Sequence, residues 1–206
     1  MKQKKEIYFI TATNTDIGKS YASEVFLKKL SKQGKKVGYF KPIETGVITI
    51  PPDGSKLLKA TKKLNPSFTF TVNDVVKYQF KLPAAPFVAN KYIDIKINSI
   101  IKQAKVLLKK CDVLVVEGAG GLMVPITKNY FMIDLIKEFQ SNFSTKTILI
   151  VPSSLGSIND TLLSQNALNQ YNINYQWYIN LYKDKKEFKK ITLPFYLKYF
   201  KKVRYL

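Results

Sequence analysis

The residues best suited to chemistry lie in one ten-residue segment, TATNTDIGKS, at positions 11–20. The segment follows a short apolar run and precedes a helical stretch, which is the sequence context of a phosphate-binding loop. In such a loop Lys19 would reach the outer phosphates and the Ser20 hydroxyl would ligate Mg²⁺. The usual pattern has a glycine five residues before Gly18, where this chain has Thr13. We therefore expect nucleotide binding here, with an ordinary helix start as the alternative.

A second lysine, Lys41, ends another apolar run in the segment FKPIETG at positions 40–46. Ligands of doubly wound sheets bind beyond the carboxyl ends of the strands. We therefore expect Lys41 to lie beside the phosphate-binding loop, with Thr45 on the turn that follows. The alternative is that one of the chain's many lysines happens to end a strand.

An acidic residue and a glycine run follow a third apolar stretch, in the segment VVEGAGG at positions 115–121. A carboxylate at such a strand end commonly holds Mg²⁺ opposite a phosphate-binding loop, which predicts this role for Glu117. The glycines would let a substrate approach the main-chain N–H donors, and a plain tight turn is the alternative. Asp53 precedes a helical stretch at 56–64 and is either a helix cap or a second metal ligand.

These residues need a scaffold that brings strand ends together, and the apolar pattern predicts one. Short β-branched and aromatic runs alternate with segments of helical periodicity. The expected strands are 7–11, 36–40, 113–117, 147–151 and 175–179, and the expected helices include 20–32, 97–108 and 159–171. Because helices separate the strands, right-handed crossovers are favoured. The sequence predicts a single α/β domain over 1–206, a mainly parallel sheet flanked by helices, similar to a P-loop NTPase.

Composition excludes several kinds of chemistry. The 206 residues include no histidine and one cysteine, Cys111. Ser-His-Asp and Cys-His catalysis and His-ligated zinc are therefore impossible, as is an intramolecular disulfide. A reducing compartment is expected, and the apolar run at 7–10 is too short for a signal peptide or a membrane span. The sequence therefore predicts a cytoplasmic location without a membrane partner.

The charge balance raises the possibility of a nucleic-acid partner. There are 34 Lys and Arg residues against 14 Asp and Glu, a net charge of +20. Arg204 is the only arginine, however, and the lysines are scattered along the chain, which favours a solvated surface over nucleic-acid binding. The densest basic stretch is 183–206, with a net charge of +7 from nine basic and two acidic residues.

With these segments together, the chain resembles the dethiobiotin synthetase family, whose ATP-dependent members close the ureido ring in biotin synthesis. The resemblance covers about residues 6–182 and depends mainly on the segments at 11–20, 41–46 and 116–121. Two weaker matches support it. Residues 155–159 (LGSIN) resemble the segment that reaches the substrate in the neighbouring subunit of a homodimer, and 177–180 (WYIN) resemble the strand whose final Asn contacts adenine.

The resemblance implies conversion of 7,8-diaminopelargonate, CO2 and ATP to dethiobiotin, ADP and phosphate, with Mg²⁺ as cofactor. The implied catalytic residues are Thr15, Lys19, Lys41 and Thr45, and the implied Mg²⁺ ligands are Ser20, Asp53 and Glu117. The expected nucleotide contacts are Asn14, Thr15, Asp16, Ile17, Gly18, Lys19, Ser20 and Asn180. The expected substrate contacts are Lys41, Thr45, Gly118, Ala119, Gly120, Gly121, Leu155, Gly156 and Asn159.

The chain also departs from the family pattern. Ala12 stands where the family usually has glycine, and Phe87 and Asp160 stand where it commonly has histidine. The region after about residue 182 is expected to be shortened, with the C-terminal helix and base-binding loop reduced or missing. The lysine that partition ATPases carry is replaced by Asn14, which argues against that class.

Three alternative functions remain open. They are a basic nucleic-acid-associated P-loop ATPase, a related amidoligase of cofactor synthesis, and a non-catalytic relative of the synthetase.

Overall fold

The computed structural model describes residues 5–90, 93–182 and 185–206. The strands are β1 Glu6–Ala12, β2 Val37–Phe40, β3 Ile43–Thr45, β4 Tyr78–Phe80, β5 Val113–Gly121, β6 Pro125–Thr127, β7 Tyr130–Phe131, β8 Ser144–Pro152 and β9 Tyr175–Asn180. The α-helices are α1 Lys19–Lys32, α2 Pro52–Leu64, α3 Val72–Val75, α4 Pro86–Ala89, α5 Ile97–Leu107, α6 Met132–Asn142, α7 Ser157–Gln170, α8 Lys185–Glu187 and α9 Leu193–Tyr199. A 3-10 turn spans Leu108–Lys110, and a π-helical turn spans Phe188–Thr192.

Within the described residues, the centre of the fold is a five-stranded parallel sheet in the order β2-β5-β1-β8-β9. Each expected strand is one strand of this sheet, so the predicted fold class is confirmed. From β1 the chain first forms β2 and β5 on one side of it and then β8 and β9 on the other. This reversal opens a crevice at the carboxyl end of β1, where ligands of such sheets bind.

The sheet is buried on both faces by helices. Phe9, Ile10, Val116 and Leu149 in the central strands have no exposed surface. Helix α1 places Ala22, Phe26, Leu27 and Leu30 against the sheet, which follows from their 3.6-residue spacing. Because the apolar faces of these elements are packed together, the carboxyl ends of β1, β2 and β5 are held at one edge of the core.

The helix after β3 begins earlier than the sequence indicates. We expected a helical stretch from residue 56, but α2 starts at Pro52, and its N-cap is Pro51. Proline is favoured in the first turn because its missing N–H has no intrahelical partner there. Asp53 is therefore inside the first turn and is not the helix cap. This correction leaves metal ligation as the role still open for its side chain.

The basic C-terminal stretch is folded onto the sheet. Phe188 and Tyr196 are buried, and Tyr205 forms a parallel bridge with Ile179. A C-terminal helix is therefore present as the seven residues of α9. Lys183, the first residue of that stretch, lies outside the described residues. Nowhere in the described ranges is a helix both long and apolar enough to cross a bilayer.

Candidate active site

The loop between β1 and α1 wraps around the side chain of Lys19. Gly18 has a φ of 93°, and a Cβ there would clash with Asn180 Nδ2. Both the positive φ and this close approach require glycine. Lys19 Nζ donates a hydrogen bond to the Asn14 carbonyl at 2.9 Å, which holds the ammonium across the loop. Burial lowers the pKa of Lys19 to about 8, although the nearby Glu117 carboxylate opposes this effect.

Lys41 lies just beyond β2 and joins two carboxylates. Its Nζ is 2.6 Å from Asp53 Oδ2 and 2.8 Å from Glu117 Oε1, and only 6% of the residue is exposed. Burial alone would lower its pKa, but Glu117, Asp53 and Glu44 together raise it above the ordinary value. Lys41 is therefore a charged ammonium at neutral pH.

Glu117 lies within β5 and has no exposed surface. Its Oε1 accepts hydrogen bonds from Ser20 Oγ and Lys41 Nζ, each at 2.8 Å. Its Oε2 accepts from Ser23 Oγ and Tyr39 OH, each at 3.0 Å. The buried charge is thus compensated by an ammonium and three hydroxyl donors, as a buried carboxylate requires.

The second carboxylate, Asp53, is positioned by a third one. The buried Glu44 accepts hydrogen bonds from the backbone N–H groups of Asp53 at 2.9 Å and Gly54 at 3.0 Å. Glu44 thereby satisfies two N–H groups in the first turn of α2, which have no partner within the helix. Burial alone would raise the pKa of Asp53, but Lys41 and Ser20 lower it below its ordinary value. Asp53 is therefore an anion held toward Lys41.

These side chains surround one cavity of about 390 Å³. The predicted residues that line it from the loop and α1 are Thr15, Asp16, Gly18, Lys19 and Ser20. Those from the other elements are Lys41, Thr45, Asp53, Glu117, Gly118, Ala119 and Gly120. A second cavity of about 560 Å³ shares Thr15, Thr45 and Gly120 and extends to Pro83–Pro86. The site therefore combines a highly charged cavity, lined by two lysines and four carboxylates, with a second adjoining cavity.

Sequence comparisons agree with this arrangement. A family model described as an AAA domain matches residues 6–180. The ATP-dependent dethiobiotin synthetase of Sulfurovum sp. (strain NBC37-1) is 49% identical over 189 residues, covering 91% of this chain and 88% of that protein. The same enzyme of Wolinella succinogenes is 35% identical, covering 91% and 87%. The chain belongs to the dethiobiotin synthetase family. The resemblance expected from the sequence is confirmed.

Solved structures with low sequence identity confirm the P-loop NTPase fold of this family member. The MinD cell division protein of Aquifex aeolicus matches with a TM-score of 0.51 at 19% identity, covering 90% of this chain and 72% of that one. A putative plasmid partition protein of Borrelia burgdorferi B31 matches with a TM-score of 0.55 at 16% identity, covering 98% and 84%. These similarities concern the architecture alone.

Several residues expected from the synthetase pattern lie away from the main cavity. Asn14 and Gly121 border a separate groove. Leu155, Gly156 and Asn159 are exposed at the start of α7. Asn180 is buried, and its Nδ2 donates to the Ile17 carbonyl at 2.9 Å, so it fastens the phosphate-binding loop to β9. Adenine contact by Asn180 stays a prediction.

The three departures from the family pattern have different surroundings. Ala12 is buried at the end of β1, Phe87 is 48% exposed in α4, and Asp160 is in the first turn of α7. Phe87 lies beside Pro86, which lines the second cavity. The departures therefore leave the charged end of the site intact.

The sequence did not reveal the roles of Ser23, Tyr39 and Glu44. Two of them had a spacing signal. Ser23 is three residues after Ser20 on α1, and Tyr39 is two residues before Lys41, so each shares a face with a predicted site residue. Glu44 was visible only as part of the segment around Lys41, and its partners are backbone groups of a helix whose start was placed too late.

Proposed function

We propose that this protein catalyses ATP-dependent closure of the ureido ring, converting 7,8-diaminopelargonate, CO2 and ATP to dethiobiotin, ADP and phosphate. One observation supports this most strongly in a member of the synthetase family. Lys19, Lys41 and Glu117 come from three separate elements and meet in one cavity beside the phosphate-binding loop. That cavity suits a reaction in which two anions, a carbamate and a triphosphate, must be brought together.

The first step is attack of a substrate amine on CO2. An aliphatic amine with a pKa near ~10 is neutral in about one part in a thousand at pH 7, which costs roughly 4 kcal/mol. The ammonium groups of Lys19 and Lys41 disfavour a further positive charge beside them and so favour the neutral amine. The C–N bond forms, a proton is released, and both lysines stabilise the carbamate anion.

The next steps activate and close the ring. A carbamate oxygen attacks the γ-phosphorus, the bond to ADP breaks, and Lys19 offsets the charge that develops on the phosphoryl oxygens. The second amine then attacks the carbamoyl carbon, and phosphate leaves with loss of a proton. Thr15 and Thr45 line the shared wall of the two cavities and orient the substrate between them. Positioning accounts for much of the rate.

The residues of the site fit a Mg²⁺ ion. Ser20, Asp53 and Glu117 would hold it through hard oxygen ligands, which is the donor set that Mg²⁺ prefers. In the ranges that the structure describes there is no group of three or more His, Cys, Asp or Glu side chains suited to a metal. Phosphate oxygens would therefore complete the coordination. When bound, the ion neutralises phosphate charge.

A homodimer would complete the substrate end of the site. Leu155 is 80% exposed, and Leu163 and Met123 beside the neighbouring groove are 61% and 54% exposed. We propose that residues 155–159 reach the active site of a second copy, as the family resemblance implies. We also place the reaction in the cytoplasm, where the single cysteine would stay reduced.

The test is an assay of phosphate release with and without diaminopelargonate and bicarbonate, with dethiobiotin identified by mass spectrometry. We expect phosphate release to depend on both compounds and to match dethiobiotin formation. Phosphate release that does not depend on diaminopelargonate, or that is stimulated by nucleic acid instead, would contradict the proposal.

A further inference from the structure

The carboxylate of Glu117 is saturated by hydrogen bonds from side chains. A carboxylate offers about four lone-pair positions. Within the described part of the chain, four donors occupy them: Ser20 and Lys41 on Oε1, and Ser23 and Tyr39 on Oε2. Because Glu117 has no exposed surface, water does not compete for these positions.

The two carboxylate oxygens face different surroundings. Ser20 and Lys41, which bind Oε1, line the cavity. Ser23 and Tyr39, which bind Oε2, have no exposed surface. Oε2 is thus held by donors in the protein interior, and Oε1 is held by donors on the cavity wall.

Helix α1 and strand β2 with its extension each supply one donor to Oε2, the inner donor, and one donor to Oε1, the outer donor. Ser20 and Ser23 are three residues apart on one face of α1. Tyr39 and Lys41 are two residues apart on one face of β2 and its extension. Strand β2 pairs with β5 so that Tyr39 lies opposite Val115, which shares a face of the sheet with Glu117 two residues further along β5. The inner pair therefore grips Oε2 from a helix and from a strand.

We propose that Tyr39 and Ser23 are positioning residues that fix the orientation of Glu117, so that its Oε1 faces the cation site. The terminal torsion of a glutamate is broad and roughly two-fold, and two donors from different elements remove that freedom. The inference rests on the proposed function only for the identity of the cation as Mg²⁺. Loss of a partner that orients a metal ligand typically weakens metal binding 10- to 100-fold.

The test measures metal binding directly in Tyr39→Phe, which removes one hydroxyl and keeps the ring. Mn²⁺ replaces Mg²⁺ as the probe and is titrated by electron paramagnetic resonance with a saturating non-hydrolysable ATP analogue. We expect binding to be about 10-fold weaker than in the wild type. Ser23→Ala removes the other inner donor and is expected to shift binding in the same direction.

The matched control is Tyr196→Phe. Tyr196 is also fully buried, and its hydroxyl bonds the Ser157 carbonyl at 3.0 Å and Thr161 Oγ1 at 2.8 Å, outside the cavity. We expect Tyr196→Phe to lower the thermal midpoint of unfolding as much as Tyr39→Phe does. Its affinity for Mn²⁺ should stay within about twofold of the wild-type value. Binding within that range in Tyr39→Phe or in Ser23→Ala overturns the inference, as does equal weakening in Tyr196→Phe.

Two further outcomes are covered by the design. If Tyr39→Phe does not fold, Ser23→Ala decides alone. Because Mn²⁺ binding is measured without diaminopelargonate, it is independent of turnover. A wild-type protein that forms no dethiobiotin would contradict the proposed function, while weaker Mn²⁺ binding in the variants would still support the positioning role.

Discussion

At the level of single residues, Lys41 links two carboxylates of the site, Asp53 and Glu117. Its ammonium contacts both Asp53 and Glu117 and faces the cavity that we propose for the reacting anions. We expect Lys41→Gln to lower turnover by at least about 100-fold, because a preorganised positive charge is lost where negative charge develops. ATP binding, measured by calorimetry, should remain detectable because Lys19 still faces the phosphates.

The matched control for this substitution is Lys59→Gln, which changes an exposed lysine on α2. It should form dethiobiotin at the wild-type rate. Near-normal turnover in Lys41→Gln would refute the role given to Lys41.

Cys111 gives a second prediction at the residue scale. The side chain is buried, and burial raises the pKa of its thiol to about 12. Since only the thiolate reacts with alkylating agents, iodoacetamide at pH 8 should label the folded protein at least about 100-fold more slowly than the protein in urea. Mass spectrometry of timed samples measures both rates. Equal rates would mean that the thiol is accessible in the folded state.

The sequence predicted the charged residues of the site better than their partners. Lys41 and Glu117 each end or follow an apolar run, Lys19 ends the loop that follows another such run, and parallel strands bring these positions to one edge. The roles of Tyr39 and Ser23 depend on hydrogen bonds between elements that are far apart in the chain. Their spacing marks a shared face, but it does not reveal which carboxylate lies opposite.

At the scale of elements, the start of α2 depends on Glu44. This carboxylate accepts two backbone N–H bonds in the first turn, where Asp53 stands. We expect Glu44→Ala to lower the free energy of unfolding by about 1–3 kcal/mol, because buried N–H groups lose their partners. Urea denaturation followed by circular dichroism measures this change.

The comparison variant is Glu24→Ala. Glu24 forms an ion pair with Lys28 at 2.6 Å on the surface of α1. Such pairs contribute little, so this variant should lose less than about 1 kcal/mol. Equal losses in the two variants would argue against a special role for Glu44 at the start of α2.

The long elements were predictable, and the short ones were not. The apolar runs of β1, β2, β5, β8 and β9 lie in the sheet core, and α1 shows clear periodicity. Strands β3 and β4 have three residues each, which is too few for an alternating pattern. The first turn of α2 was missed because Pro51 and Pro52 read as a loop, although proline is compatible with a helix start.

At the scale of the molecule, the proposed homodimer can be tested by mixing two variants. Leu155→Asp changes a side chain that is 80% exposed and does not line the cavity of its own chain. If Leu155 serves the partner's site, a mixed dimer of Leu155→Asp and Lys41→Gln contains one intact site. Subunit exchange at equal amounts should then restore about a quarter of the wild-type activity, since half of the dimers are mixed.

Restored activity indicates a shared site only if each variant alone is inactive. In a parallel control mixture, Lys59→Gln replaces Lys41→Gln. Size-exclusion chromatography with light scattering gives the mass of each sample. A monomeric wild type, or a mixture that stays inactive although mixed dimers form, would contradict the shared site.

The order of the strands and the packing of the C-terminus were beyond sequence reasoning. Both depend on contacts between residues far apart in the chain. Phe188 and Tyr196 are buried, although the charge of the stretch that contains them would by itself predict exposure to solvent.

The bridge formed by Lys41 between Asp53 and Glu117 has one more consequence. The protein carries a built-in counterion at the place proposed for a divalent metal, so the two acids do not repel each other before ATP arrives. A divalent ion held by Asp53 and Glu117 would have to compete with this ammonium, so we expect a modest affinity for the free ion and stronger binding in the presence of the nucleotide. A chelator should accordingly stop turnover without unfolding the chain.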